Sequence, residues 1–91
     1  MEPAPQAAID RFLAEKARAI GQPLTRIGPV ERLSNGWAFS YQSRAYVETQ
    51  DFGDLLVGQG PVVLLDDGRV LEGGSLDRDA AAVLRRYDVA E

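Results

Sequence analysis

The sequence predicts an α+β fold in which an N-terminal helix, a three- to four-stranded antiparallel sheet and a C-terminal helix form two layers. Apolar residues recur at helical spacing from residue 6 to 20, and aromatic residues alternate with small or polar ones from residue 36 to 42. An unbroken apolar run at residues 62–65 then leads into a polar turn at residues 66–68. A helical pattern followed by strand patterns and tight turns indicates a sheet covered by helices.

The first helix is predicted over Gln6–Ile20, because Gly21 suits a helix end and Pro23 prevents continuation. Residues 1–5 contain two prolines and no periodicity, so we expect a loose tail followed by a single domain over residues 6–91. One face of the helix is predicted to be buried; its apolar members are Ala8, Ile9, Phe12, Leu13, Ala17 and Ile20.

The first strand is predicted over Leu24–Leu33, with Ile27 and Val30 as its best candidates for burial. Gly28 and Pro29 interrupt its alternation, and proline cannot donate a hydrogen bond to a neighbouring strand. We therefore expect an edge strand or a bulged one. The tripeptide at residues 34–36, Ser-Asn-Gly, predicts the turn to the second strand.

The second strand is predicted over residues 36–42, with Trp37, Phe39 and Tyr41 on one face that packs on helices. Residues 43–59 predict a long connection with one helical turn near Asp51–Val57. Apolar side chains are expected to anchor this connection to the core; they are Tyr46, Val47, Phe52, Leu55 and Leu56.

The last third of the chain predicts a hairpin and a helix. Strands are expected at residues 61–65 and 69–72, and the two glycines at 73 and 74 are expected to end the sheet. Ser75 or Asp77 is the predicted N-cap of the helix, and Arg85 and Arg86 suit its C-terminal end. The candidate buried face consists of Ala81, Val83, Leu84 and Tyr87.

The composition narrows the possible functions. The chain is 45% hydrophobic and 26% charged, which is ordinary for a globular protein, and its formal net charge of −4 disfavours nucleic-acid binding. Cysteine and histidine are both absent, which removes thiol nucleophiles, the usual zinc sites and Ser-His-Asp triads. No apolar run approaches the roughly 18 residues of a membrane span, and no secretory signal is visible. We expect a cytoplasmic protein that is not an enzyme, with no cofactor, no metal and no membrane contact.

Several short motifs resemble those of the YrhB-like (immunity protein 35) family. The chain has a Gly-Trp pair that opens an aromatic strand, a Leu-x-Gly-x-Gly-Pro corner at residues 56–61 and a late Tyr87. A Tyr-x-Ser-Arg-x-Tyr-x-Glu-Thr stretch lies between them, at Tyr41, Ser43, Arg44, Tyr46, Glu48 and Thr49. The resemblance implies an antidote that is encoded beside a secreted bacterial polymorphic toxin and that blocks this toxin by binding it, without chemistry of its own. The alternative is a chaperone-like or regulatory adaptor of the same fold.

The candidate partner-binding residues are mainly acidic. An acidic surface would speed the encounter with a basic toxin, although the alternative is an ordinary solvated loop or turn. We expect the protein to be a monomer or a weak homodimer. The candidates are Glu48, Asp51 and Asp54 in the long connection, Asp66 and Asp67 at the neighbouring turn, and Arg44.

Overall fold

The fold of residues 5–90, which the computed structural model describes, consists of a four-stranded sheet with helices before, within and after it. The strands lie in the order β1-β2-β3-β4, so β1 and β4 are the edges. The predicted α+β class is confirmed. The expected loose tail falls largely on residues 1–4, which lie outside the described residues. The elements are α1 (Gln6–Ile20), β1 (Leu24–Leu33), β2 (Gly36–Ser43), α2 (Arg44–Thr49), a 3₁₀ turn (Phe52–Asp54), β3 (Gln59–Leu65), β4 (Val70–Gly74) and α3 (Ala80–Arg86).

The described residues divide into two packed units. The first contains residues up to 27 together with residues 41–56, and the second contains residues 28–40 together with those from 57 onward. The first unit therefore holds α1, α2 and the 3₁₀ turn, and the second holds β3, β4 and α3. The expectation of a single domain over residues 6–91 stays a prediction.

Helix α1 in the first unit has the predicted bounds. Gly21 ends it in the left-handed conformation, with φ of 77°, and its N–H donates to the carbonyl of Ala17. Ile9 is fully buried, and the ring of Phe12 meets that of Tyr41 edge-on at 5.6 Å between centroids. Burial of Ile20 was wrong, because this side chain is 39% exposed in the last position of the helix.

The core of the second unit lies between α3 and the sheet. Pairing of Ala38 with Val63, and of Val63 with Leu71, places these three side chains on one face of three adjacent strands. Val83 and Leu84 of α3 are buried with them. Helix and sheet thus form two layers in this unit. The remaining buried members of the cluster are Leu65 and Ala80.

The approach of α3 to the sheet requires a glycine at residue 73. A Cβ atom built there would lie 2.8 Å from Cγ2 of Val83 and 2.5 Å from the carbonyl oxygen of Pro61. Real Cβ atoms do not come this close to their neighbours, so the sequence must leave this position without a side chain.

Strand β1 is an edge strand, as predicted, but its burial differs from the prediction. Leu24 is buried, whereas Ile27 is 39% exposed and Val30 is only half-buried. Gly28 adopts a positive φ of 68°, at the point where the sequence predicts an interruption of the alternation, so the faces of Ile27 and Val30 do not follow from a regular strand. A glycine permits this backbone conformation at little cost.

Strand β2 buries residues on both faces, which the alternation alone did not predict. Phe39 and Tyr41 are buried as expected, and so is Ala38 on the opposite face. Trp37 is only half-buried, and the guanidinium of Arg32 lies 5.0 Å from the centroid of its ring. The prediction that Trp37 belongs to the core is therefore only partly realised, because the guanidinium of Arg32 lies over its ring.

The N-cap of α3 is Asp79, whose carboxylate accepts a hydrogen bond from the N–H of Ala82 at 2.9 Å. The predicted caps Ser75 and Asp77 were wrong, because the observed cap lies four residues after Ser75 and two residues after Asp77. Asp77 instead accepts a bond from the N–H of Gly74 at 2.7 Å and forms an ion pair with Arg86 at 2.9 Å. These contacts connect the end of β4 to the last turn of α3.

Tyr87 was predicted to lie on the buried face of α3, and this was wrong. It follows the last helical residue and is 43% exposed. Its hydroxyl donates to the carbonyl of Glu72 on β4 at 3.2 Å, and Arg86 donates to the same oxygen at 2.9 Å. The two side chains therefore partly cover the backbone of this edge strand.

We expect Asp77→Asn to make stability less sensitive to acid. The N–H of Gly74 is the largest cause that lowers the pKa of Asp77 from its ordinary 3.8, and Arg86 adds to it. A carboxyl group whose pKa is lower in the folded protein stabilises the fold above its unfolded pKa. That contribution is lost as the pH falls through the folded pKa. The free energy of unfolding of the variant, measured in urea between about pH 5 and pH 2, should therefore fall less steeply than that of the wild type.

Asp88→Asn is the matched control for this prediction, because Asp88 is exposed and has no side-chain partner among residues 5–90. It should follow the wild-type pH dependence. An Asp77→Asn profile that is parallel to that of the wild type would show that the contacts of Asp77 contribute nothing to acid stability.

Candidate functional site

The long connection between β2 and β3 contains the main candidate site, and we call residues 44–56 the α2 loop. The loop begins with α2, a helix that the sequence analysis missed. Ser43 is its N-cap, since its hydroxyl oxygen accepts a bond from the N–H of Tyr46 at 3.0 Å. Gln50 ends the helix in the left-handed conformation. Serine three residues before Tyr46 was the available signal, but six residues are too few to show a helical period.

Two buried polar residues at the end of β2, Gln42 and Ser43, fix the course of the α2 loop. The side-chain amide of Gln42 donates to the carbonyl of Leu56 at 3.1 Å and accepts from the N–H of Leu56 at 2.7 Å. The hydroxyl of Ser43 donates to the carbonyl of Asp54 at 2.6 Å. These bonds satisfy backbone groups of the loop as a neighbouring strand would.

Two of the three predicted acidic residues of the α2 loop also stabilise it. Asp51 accepts a bond from the N–H of Gly53 at 2.9 Å and so caps the 3₁₀ turn. A carboxylate oxygen of Asp54 lies 3.0 Å from the hydroxyl of Thr49, which in turn accepts from the N–H of Asp51 at 3.1 Å. The carboxylates of Asp51 and Asp54 therefore have a structural role within the loop itself.

Glu48 has no such role. Its side chain is exposed on α2 and has no hydrogen-bond or ion-pair partner among residues 5–90. The α2 loop thus brings the predicted residues Glu48, Asp51 and Asp54 into one short segment. Among these three, Glu48 is the one that no internal contact of the described chain explains.

Phe52 is the functional candidate that the sequence analysis missed. We predicted that it and Val47 anchor the loop to the core, but Phe52 is 79% exposed and Val47 is 43% exposed. The ring of Phe52 stacks on that of Tyr46, with centroids 6.5 Å apart and planes 30° apart. An apolar residue gives no sign in a sequence of whether it faces the core or the solvent, so no local pattern could have revealed this exposure.

Asp66 and Asp67 lie at the β3–β4 turn in the second unit, and both are paired there. Asp66 forms an ion pair with Arg32 at 3.1 Å. Asp67 accepts from the backbone N–H of Arg69 at 3.0 Å and from its side chain at 2.9 Å. The backbone bond is the main cause that lowers the pKa of Asp67 below its ordinary value. A common surface with the α2 loop stays a prediction.

Arg44, the remaining predicted residue, opens α2 and is exposed. Its backbone N–H donates to the carbonyl of Pro23 at 3.1 Å, whereas its guanidinium has no partner among residues 5–90. It lines an open groove of about 750 Å³, whose other walls are α1 and the first residues of β1.

The groups that the α2 loop exposes to solvent are ones that could contact another molecule. The loop presents an aromatic face and carboxylates on a backbone fixed by hydrogen bonds. Within residues 5–90, no three acidic side chains are grouped so that they could hold a metal ion. No helix in the described part of the chain is long and apolar enough to cross a membrane.

Comparison with known proteins gives one match. Neither a curated protein nor a solved structure matches the chain significantly. The model of a family described as Immunity protein 35 matches residues 6–89, a range that includes every helix and strand described above. The match confirms the resemblance that the aromatic strand and the motif around Ser43 indicated. The chain belongs to the Immunity protein 35 family.

Proposed function

We propose that this protein is a non-catalytic immunity protein that binds and neutralises a cognate bacterial toxin in the cytoplasm. The α2 loop is the proposed contact surface, and Phe52 is its centre. Membership of the Immunity protein 35 family supports the class of function. The single observation that supports the surface is the 79% exposure of Phe52 on a loop that hydrogen bonds hold in place.

An exposed phenylalanine favours a binding role. Burying such a side chain contributes roughly 1.5–3 kcal/mol, and the fold forgoes most of this gain at Phe52. Large aromatic side chains often supply the dominant contacts of protein interfaces, where a partner completes their burial. Tyr46 stacks on the ring of Phe52, and the exposed Val47 follows Tyr46 in α2.

The charges around Phe52 define the chemistry of the partner. Glu48 and Asp51 are exposed in the same loop and would lie at the polar rim of an interface. Rim carboxylates attract a basic partner and exclude an acidic one, chiefly through the association rate. The proposed toxin therefore presents an apolar depression bordered by lysine or arginine side chains, and the bound immunity protein occludes its active site.

The hydrogen bonds of Gln42 and Ser43 support the same surface in a second way. Ordering a loop upon binding costs free energy that must come from the contacts made. The α2 loop is already ordered by its bonds to these two side chains. A preorganised surface of this kind suits an inhibitor that must bind tightly.

A chaperone-like or regulatory adaptor is the second candidate, and the exposed apolar side chains favour it as well. Phe52 and Val47 could bind apolar segments of many clients rather than one toxin. The two functions differ in partner number and in the role of charge. A toxin interface requires the carboxylates around Phe52, whereas contact with unfolded clients requires only apolar area.

The deciding experiment is a pull-down of the tagged full chain from lysate of its native cells, followed by mass spectrometry. The immunity function predicts one stoichiometric partner that is toxic when expressed alone and harmless when co-expressed with this chain. A scatter of unrelated clients, or a partner without toxicity, would contradict it in favour of the adaptor.

Two substitutions in the α2 loop should weaken binding to the captured partner. Phe52→Ala is expected to cost about 2 kcal/mol or more, roughly thirtyfold in Kd, because it removes the aromatic contact. Glu48→Lys is expected to slow association by about two- to tenfold, and to reduce the dependence of association on salt. Kd and association rate are measured by surface plasmon resonance.

Matched controls separate these effects from general ones. Leu76→Ala removes another exposed apolar side chain, which is 92% exposed, and Glu31→Lys reverses another exposed charge. Both should bind as the wild type does. If the control variants weaken binding as much as Phe52→Ala and Glu48→Lys do, the α2 loop is not the contact surface.

Gln42→Leu tests the support of the loop without any partner. The substitution keeps the approximate size of the side chain but leaves the N–H and carbonyl of Leu56 and the N–H of Ser43 without their bonds to it. An unsatisfied buried backbone group costs about 1–3 kcal/mol, so the free energy of unfolding in urea should fall by this amount. The Leu56 amide should also exchange its hydrogen faster.

Gln6→Leu is the control, because Gln6 is exposed and, within the described residues 5–90, its side chain bonds only Asp10, at 2.8 Å. Its effect on stability should stay within about 0.5 kcal/mol. Unchanged exchange at Leu56 in Gln42→Leu would mean that the loop keeps its course by other contacts.

A further inference from the structure

The groove beside Arg44 is a second surface of the first unit, apart from the carboxylates of the α2 loop. Its walls are the exposed side of α1 and the segment from Gly21 to Arg26, and its volume is about 750 Å³. Pockets that bind small ligands typically measure about 300–1,000 Å³, so the groove has room for several residues of a peptide.

The groove is basic although the chain as a whole is acidic. Arg18, Arg26 and Arg44 line it, against one acidic residue, Asp10. Arg18 and Arg44 make no side-chain hydrogen bond or ion pair with any of residues 5–90. The carboxylate of Asp10 accepts a bond from Gln6 at 2.8 Å, and both residues lie in the first turns of α1. The formal charge of the lining is therefore +2 in a protein whose net charge is −4.

The groove also has apolar parts between its charges. Leu24 lines the groove and is buried, and Leu13 and Ala17 are half-buried along α1. Arginine suits such a site, because its planar guanidinium binds a carboxylate through two parallel hydrogen bonds and is weakly hydrated. Apolar contacts together with guanidinium groups match a polypeptide segment that carries both apolar and acidic side chains.

We propose that this groove binds an extended acidic segment of a partner protein. The inference goes beyond the proposed function, since the α2 loop with Glu48 and Asp51 selects a basic surface. Charge complementarity supports this occupant: a chain of net charge −4 concentrates three arginines in one groove. A glutamate-rich segment with interspersed leucines would place carboxylates on Arg18 and Arg44 and apolar side chains over Leu13 and Leu24.

A nucleic acid fits the groove less well than a peptide does. None of the thirteen lining residues is aromatic, so the groove offers no ring on which bases could stack. Asp10 would also repel a phosphate backbone that follows α1, whereas a peptide can place an apolar side chain beside it.

The test is a titration of the ¹⁵N-labelled full chain with a synthetic twelve-residue peptide of alternating glutamate and leucine. Amide shifts are expected in α1, at residues 21–26 and at Arg44, and they should weaken as salt is raised. A peptide of alternating lysine and leucine and a twelve-nucleotide single-stranded DNA should give no such shifts. Shifts by the lysine peptide or the DNA that equal those of the acidic peptide would overturn the proposal.

The double variant Arg18→Glu/Arg44→Glu should bind the acidic peptide at least about fivefold more weakly. Arg78→Glu is the control, because Arg78 is exposed, lies in the second unit and has no partner among residues 5–90; it should bind as the wild type does. The spectrum of each variant without peptide reports whether the fold is retained. Equal affinity of a folded double variant and the wild type would also overturn the proposal.

Discussion

The buried amide of Gln42 is the constraint on which the α2 loop depends. A connection that leaves a sheet must satisfy backbone groups that no neighbouring strand reaches. Gln42 does so by bonding both the N–H and the carbonyl of Leu56, and its oxygen also accepts from the N–H of Ser43 at 2.8 Å. One side chain therefore replaces a pair of backbone partners.

This support explains why Phe52 can remain in the solvent. Were the loop held by apolar burial, its largest apolar side chain would be the natural anchor. Hydrogen bonds from β2, with the cap provided by Asp51, already define the backbone on both sides of Phe52. The side chains of β2 that hold the loop, Gln42 and Ser43, are thus distinct from Phe52, so substitution of Phe52 is expected to leave the segment folded.

Elements whose signals lie within a single segment of the chain were predicted well from the sequence. Helix α1 has its predicted bounds because a long apolar period and Gly21 act together, and the turn before β2 follows from its Asn-Gly pair. The roles of Gln42 and Phe52 depend instead on which distant segment each side chain meets. A glutamine in an alternating strand has the same local pattern whether it faces water or the carbonyl of Leu56. The Immunity protein 35 motif marked Ser43 and Thr49, but only the contacts explain them as residues that support the loop.

The net charge of −4 conceals two surfaces of opposite character within the first unit. Exposed Glu48 and Asp51 belong to one, and Arg18 and Arg44 belong to the other. Charges are largely screened beyond about 8 Å at physiological salt, so a docked partner responds mainly to the charges of the local surface. A basic toxin attracted by the carboxylates of the α2 loop would be repelled by the arginines of the groove. If both proposed surfaces bind, local charge would select the orientation of a partner as well as the sign of its charge, and a partner with basic and acidic segments could use both surfaces at once.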